Sequence, residues 1–227
     1  MMQPEVIDLE QLAKEIEVRL QMLPGQRTAD VRAIRREFSK RLAKAPAQTV
    51  INLALQLLPQ HRFVAYELVN QHRAAWRSLG EGELEQFGQG LASWGDVDTF
   101  ACYLAGPAWR EQQVPDALIH RWAHSSDRWW RRTALVSTVP LNNKARGGRG
   151  DTVRTLTVCH LLASDQDDMV VKALSWALRE LAKRDPQAVR EFLAEHDQVL
   201  AARVKREVQN KLTTGLKNPR GKLTKVG

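Results

Sequence analysis

The sequence predicts an all-α protein, a solenoid of stacked helical pairs, and three observations carry that expectation. Apolar residues recur at three- and four-residue steps along nearly the whole chain. No run of period-two alternation is long enough to make a strand. A short Asp-led motif also returns at a repeat-like distance, which is the signature of an array of like units.

Taken in order, Leu9, Leu12, Ile16, Leu20 and Leu23 make the first stripe, with Asp8 placed to cap its N-terminus. Val31, Ile34, Phe38 and Leu42 follow behind the cap candidate Thr28, and Leu84, Phe87, Leu91 and Trp94 form a later stripe. Breaks are expected at Pro24-Gly25, Pro46, Gly80-Glu81-Gly82, Gly106-Pro107 and Pro115, and across Leu141–Asp151. The segment Asp127-Arg-Trp-Trp-Arg131 reads Asp-x-x-apolar-basic. Asp168-Met-Val-Val-Lys172 repeats it 41 positions later, and Asp30-Val31-Arg32 is a looser copy. Self-similarity at this period on helical pairs is the mark of HEAT-type repeats, whose pairs must stack to bury their apolar faces. The expected architecture is therefore an α-solenoid of about six HEAT-like repeats with a concave basic cleft, a cradle for an elongated ligand such as a duplex. Residues 1–213 are assigned to one repeat domain, and 214–227 to a basic, disordered tail.

Bulk properties narrow the function. Hydrophobic residues make up 43% of the 227, which excludes wholesale disorder. No stretch approaches the ~20 apolar residues of a membrane span. The start MMQPEVIDLE lacks the basic-then-apolar order of a signal peptide, so a cytoplasmic protein is expected. Cys102 and Cys159 lie far apart without C-x-x-C spacing and point to buried thiols, with neither a metal site nor a disulfide. A net charge of +8 and a pI near 9.8 favour a polyanionic partner. Cations cluster at Arg27–Lys44, with Arg32, Arg35, Arg36, Lys40 and Arg41, and again from Arg203 to Lys225. Seven tryptophans beside this charge favour nucleic acid over membrane. Walker, Rossmann and G-x-S-x-G signatures are missing, and His120 and His124 lack the glutamate of a zinc-protease helix, so no cofactor is expected.

Three constellations remain. A helix from about Asp168 to Arg184 buries Val171, Leu174, Leu178 and Leu181 on one face. Lys172, Trp176, Arg179 and Lys183 then fall in a narrow arc opposite, facing either a ligand or the next repeat. In Ser93-Trp-Gly-Asp-Val-Asp98, Asp96 is expected to cap a helix that buries Val97, Phe100, Ala101 and Leu104. Asp98 would then lie in its first turn, as a helix stabiliser or as a functional carboxylate. In Trp129-Trp130-Arg131-Arg132 the adjacent indoles cannot share one face, which allows one to be core and the other to look outward, and periodicity does not say which. An arginine beside the outward ring suits a phosphate.

At these residues the chain resembles the AlkD-like DNA alkylation repair glycosylases, a family of HEAT-like repeats. The likeness runs from about residue 10 to 213 and is firmest at Trp94-x-x-x-Asp98, Trp129-x-x-Arg132-Thr-Ala and Lys172-Ala-Leu-Ser-Trp176-Ala-Leu-Arg179-Glu. The resemblance implies that Asp98 is the catalytic aspartate and that Trp94 and Trp176 pack on the sugar backbone at the lesion. It implies that Arg132 shares their cleft and that Arg179 contacts the backbone. The arc on the Asp168–Arg184 helix and the Trp129–Arg132 cluster add Lys172, Lys183, Arg131 and Trp129 as further DNA-binding candidates. The implied activity is an N-glycosylase acting on double-stranded DNA that contains alkylated bases such as 3-methyladenine and 7-methylguanine. No lysine stands out as a Schiff-base nucleophile, so a monofunctional enzyme is expected, and a solenoid with a basic cleft is expected to act as a monomer. The alternative is a non-catalytic HEAT-repeat protein that binds damaged or bent DNA. Two departures stand out: Arg19–Arg27 lacks the aromatic expected near the end of the first helical pair, and the Lys144–Asp151 loop is longer than usual.

Overall fold

A computed structural model of the chain describes residues 8–25, 27–58 and 60–219. Their regular structure is entirely helical, without a strand, and no helix among them is long and apolar enough to cross a membrane. The backbone divides between Val114 and Pro115 into two compact units. The first holds α1 (Leu9–Gln21), α2 (Thr28–Arg41), α3 (Ala47–Gln56), α4 (Arg62–Gln71), α5 (Arg73–Arg77), α6 (Glu81–Gly88), α7 (Trp94–Phe100) and α8 (Gly106–Arg110). The second holds α9 (Asp116–Ala123), α10 (Arg128–Ser137), α11 (Val139–Asn142), α12 (Thr152–Leu161), α13 (Asp168–Leu181), α14 (Pro186–Glu195) and α15 (Ala202–Thr214).

In the first unit, Asp8 caps α1 as expected, accepting from the Gln11 N–H at 3.1 Å, and Leu12, Ile16 and Leu20 are buried. Thr28 is already the first residue of α2, and the cap position falls to Arg27, whose side chain makes no capping bond. Helix α4 is the centre of this unit, packed by α2, α3, α5 and α7, and from Val64 to Val69 every residue is buried. Its first residue, Arg62, is buried too. Arg62 donates from Nη1 to the Phe87 carbonyl (3.2 Å) and to Tyr66 Oη (3.0 Å), and from Nη2 to the Gln89 carbonyl (2.6 Å). Tyr66 donates to the same Phe87 oxygen at 2.9 Å, and burial pushes its phenol up to about 12. A cation and a hydroxyl thus satisfy the carbonyls that α6 leaves open at its C-terminus. Gly90 then turns the chain at φ +65°, a left-handed conformation, with the Arg62 guanidinium against it.

The expected break at Gly106-Pro107 is absent. The rod that starts as α7 continues through Ala101–Ala105 in π register into α8, with the Gly106 N–H donating to Ala101 O. Proline has no N–H to offer and its ring crowds the preceding turn, and the wider π turn accommodates both without ending the helix.

In the second unit the central helix is α13, against which α10, α11, α12, α14 and α15 pack. It is buried on more than one side, since Val170, Ala173, Ala177 and Glu180 join the expected Val171, Leu174, Leu178 and Leu181. Its cap is Asp167, accepting from the Met169 N–H at 2.9 Å, just as Asp127 caps α10 by accepting from Trp129 N–H at 2.8 Å. The repeat therefore has a period of 40 rather than 41, Asp127 matching Asp167 and Arg132 matching Lys172. In Asp167-Asp168 the first carboxylate takes the cap, and the second goes to Lys172 at 2.6 Å.

The Asn142–Asp151 segment, expected as a break between helices, is bonded down along its length. Asn142 is buried, donates to Thr138 O and Thr155 Oγ1, and accepts from the Asp151 N–H. Arg184 donates to the carbonyls of Asn142 and Gly148 at 2.8 and 2.7 Å. At Gly148 a Cβ would stand 2.7 Å from backbone atoms of Pro140 and Asn143, so only glycine fits. Past Thr214, Gly215 ends α15 in the left-handed conformation. The rest of the expected tail, 220–227, lies outside the described residues.

Helix α15 is held on α13 by buried Glu207, which accepts from Ser175 Oγ at 2.7 Å and stands 3.4 Å from Lys217 Nζ and 4.0 Å from Arg179 Nε. Burial pushes the Glu207 carboxyl up, but the Ser175 bond and the two cations outweigh it and hold it below the usual carboxylate range.

Two predictions follow from these anchors. Replacing Arg62 by Met leaves the Phe87 and Gln89 carbonyls without their donor and is expected to cost about 2–4 kcal/mol in denaturant unfolding. For Glu207 the folded pKa is depressed, so its contribution is present above the unfolded value of about 4.3 and is lost as pH falls through the folded value. The unfolding midpoint should fall over that acid window in the wild type. Glu207→Gln should flatten part of the fall while costing about 1–3 kcal/mol at neutral pH.

Candidate nucleic-acid interface

Ser93 starts α7. Its Oγ accepts from the Asp96 N–H at 3.2 Å and donates to Asp96 Oδ2 at 2.8 Å, so the two side chains close the first turn between them. The expected cap at Asp96 is thus corrected: the cap is Ser93, the helix opens at Trp94, and Asp98 lies one turn in rather than in the first turn. Val97, Phe100, Ala101 and Leu104 are fully buried as expected. Trp94 and Asp98 stand four residues apart on the other side, where neighbours on a helix face one another. Trp94 is 62% exposed, the one aromatic among the strongly exposed large hydrophobics of the described residues, and Asp98 is half-buried. An indole left in water beside a partly desolvated carboxylate is an arrangement that packing alone does not require.

In the second unit, α13 carries Lys172, Trp176 and Arg179 half-buried along one strip, with exposed Lys183 just beyond its end. Each cation has an anionic neighbour. Lys172 meets Asp168 at 2.6 Å, Lys183 meets Glu180 at 2.6 Å, and Arg179 donates to Ser175 Oγ at 3.2 Å near Glu207. The Lys172 hydrogen bond holds the Asp168 carboxyl below its usual range. Burial lowers the Arg179 pKa against the pull of Glu207 and Glu180. A guanidinium so desolvated has shed part of its hydration already, which favours a further bidentate contact with an oxyanion.

The α10 candidates divide. Trp130 packs against Trp122 with ring centroids 4.9 Å apart, and like Trp129 it is half-buried, so neither indole is wholly core or wholly outward. Trp129 is half-buried with the Arg128 guanidinium 5.7 Å from its ring. Arg131 is committed inward, donating to Asp165 Oδ2 (2.7 Å) and to the carbonyls of Ser125 and Ser126. Arg132 is 5% exposed and donates to the Met169 carbonyl at 2.6 Å, tying α10 to the first turn of α13.

Trp94 and Asp98 therefore lie one turn apart on α7 in the first unit, and Lys172, Trp176 and Arg179 along one strip of α13 in the second, whereas Arg131 bonds to Asp165 and Arg132 to the Met169 carbonyl. The basic cluster at 27–44 is also less available than its formula. Arg32 and Arg35 both bind buried Glu67, at 2.7 and 3.0 Å, and Arg41 pairs with Glu15. Of the tryptophans, Trp109 and Trp122 belong to the core. Sequence reasoning missed Arg62, which closes the end of α6, and Ser93, Ser175 and Glu207, which bond the start of α7 and the surroundings of Arg179 beside the candidate residues. Only Ser93 carried a local signal, the Ser-x-x-Asp pattern of a helix start.

Comparison with known proteins bears on this geometry. No individually curated protein matches the sequence. The family described as DNA alkylation repair enzyme matches residues 11–212, which takes in α7, α10 and α13 with all their candidate residues. The chain belongs to the DNA alkylation repair enzyme family.

Proposed function

We propose that the protein is a monofunctional DNA glycosylase that hydrolyses the N-glycosidic bond of cationic alkylated purines in duplex DNA. Beyond family membership, the observation that carries this reading is the pairing of exposed Trp94 with half-buried Asp98 one turn along the same helix. With it goes the finer architecture, a monomeric solenoid of about six HEAT-like pairs whose concave basic side takes the duplex.

The chemistry needs little more than one carboxylate. A purine alkylated at N3 or N7 already bears the positive charge that makes it a good leaving group, so no general acid has to protonate it. What develops at the sugar is an oxocarbenium-like cation, and an anion held nearby stabilises it and orients the attacking water. Asp98 is assigned that role. The faces of Trp94 and Trp176 carry negative potential and favour a cationic nucleotide over a neutral one by about 0.5–2 kcal/mol. Arg179 and Lys172 supply backbone contacts, with Lys183 and Trp129 at their margin. Arg131 and Arg132 serve as positioning residues, holding the ends of α10 and α13 in place. No lysine is set apart as a Schiff-base nucleophile, which favours simple hydrolysis to an abasic site over lyase chemistry.

Free bases released from methylated duplex DNA and resolved by chromatography test the reading. Wild type should release 7-methylguanine or 3-methyladenine, and Asp98→Asn should lower the rate by about 10²–10³-fold with DNA affinity largely kept. Tight binding with no release from either protein would replace this function by non-catalytic recognition of damaged DNA. Trp94→Ala should slow release of a cationic base by about 2–30-fold and that of a neutral analogue less. An equal loss on both substrates would remove the indole from charge recognition.

A further inference from the structure

Apart from the proposed DNA surface, the second unit gathers three metal-ligating side chains that the function above does not use. His160 is the penultimate residue of α12, Glu195 is the last residue of α14, and His196 caps it. His160 Nδ1 lies 2.6 Å from His196 Nε2, and the Glu195 Oε1 stands 3.9 Å from the first nitrogen and 3.6 Å from the second. We propose that these three residues form a divalent transition-metal site of the Zn²⁺ class, a structural clip between the C-terminal ends of α12 and α14.

The geometry supports this in several independent ways. Ligand atoms about 2.0–2.1 Å from a tetrahedral Zn²⁺ are roughly 3.3 Å from one another. The observed triangle of 2.6, 3.6 and 3.9 Å brackets that value, so the atoms need shift only by fractions of an ångström. The donor set, two imidazoles and a carboxylate, suits Zn²⁺ and its neighbours better than Mg²⁺ or Ca²⁺, which prefer oxygen alone. Two imidazole nitrogens share one proton at most across a 2.6 Å contact, and the carboxylate lies beyond hydrogen-bond reach of both, whereas one cation satisfies all three. The rings are set edge to face at 60° and rest on Phe192, with centroids 5.0 and 4.6 Å from its ring, so a packed aromatic floor aims them. Two ten-residue helices end here, and the negative ends of their dipoles favour a cation. Glu195 is exposed and His160 partly so, which leaves an open side for entry and for a water as fourth ligand.

The expectation of no metal site rested on cysteine spacing and on local histidine motifs. His160 and His196 are 36 residues apart and show nothing along the chain. His160 and Glu195 are exposed, the His196 side chain is 19% exposed at the end of α14, and glutamine keeps a polar side chain of similar reach, so the substitutions His160→Gln, Glu195→Gln and His196→Gln should leave the fold intact.

The test uses the full chain, freed of any histidine tag and of metal by chelator dialysis, and titrated with Zn²⁺ and separately with Co²⁺. Wild type should take up one ion per chain, show the visible Co²⁺ absorption of a low-coordinate site without a thiolate band, and unfold at higher temperature with Zn²⁺. Glu195→Gln should weaken uptake by at least about tenfold, and the double histidine variant should abolish it along with the thermal shift. Failure of wild type to bind either ion overturns the proposal, and so does binding that the double variant retains. Base release plays no part in these readouts, so the outcome is separate from that of the glycosylase assay.

Discussion

A fold made of short helices is governed by their ends. Each end leaves unpaired N–H or C=O groups, and where an end is covered by protein these groups must find partners there, at a cost of about 1–3 kcal/mol for each one that does not. This chain meets the constraint with side chains drawn in from elsewhere. Arg62 and Tyr66 close the end of α6, Arg132 takes a carbonyl in the first turn of α13, and Asn142 with Arg184 closes the loop after α11. Carboxylates and a serine begin α1, α7, α10, α12, α13 and α14. Helices α7 and α13, which carry the candidate DNA contacts, both start at such caps, Ser93 and Asp167.

The same economy explains how the charge is distributed. A formal +8 suggests a surface crowded with unopposed cations, yet many arginines are engaged inside each unit. Glu67 takes up Arg32 and Arg35, and Glu207 sits among Ser175, Arg179 and Lys217. These pairs locate and desolvate particular guanidinium groups more than they raise stability, because taking charges out of water offsets much of the attraction. Arg179 illustrates the effect. Its charge is kept but its hydration is reduced and its direction fixed, which suits contact with a phosphate better than a freely rotating surface arginine does.

The proposed chemistry and the proposed metal clip draw on different chemical resources. A cationic leaving base asks for one anion and for aromatic faces, and α7 provides a carboxylate and an indole one turn apart. The His160, Glu195 and His196 group lies where two helices end, on a packed phenylalanine, and its work would be cohesion of the second unit rather than catalysis.

Much was legible from the chain alone. The helical class and the buried stripes of α1, α7 and α13 follow from periodicity, because side-chain direction on a helix is set by residue number. Periodicity misplaced Trp94, expected in one stripe with Leu84, Phe87 and Leu91: α6 ends at Gly88, and Trp94 opens α7 with its ring exposed. Family membership was legible too, since its motifs are local runs of residues. Sequence could not choose between Asp167 and Asp168 as cap, or say which of Trp129 and Trp130 packs on Trp122, since adjacent residues of like type score alike. It expected breaks at Gly106-Pro107 and across Leu141–Asp151, because both are rich in residues that usually punctuate helices. Tertiary structure removed the first through a π turn and tied down the second through bonds from Arg184, 36 and 42 residues distant from its two partners. Arg62 against Phe87, Ser175 against Glu207 and His160 against His196 are likewise pairings across 25 to 36 positions. Periodicity reports which side of a helix faces inward, and only the packed chain reports what is waiting there.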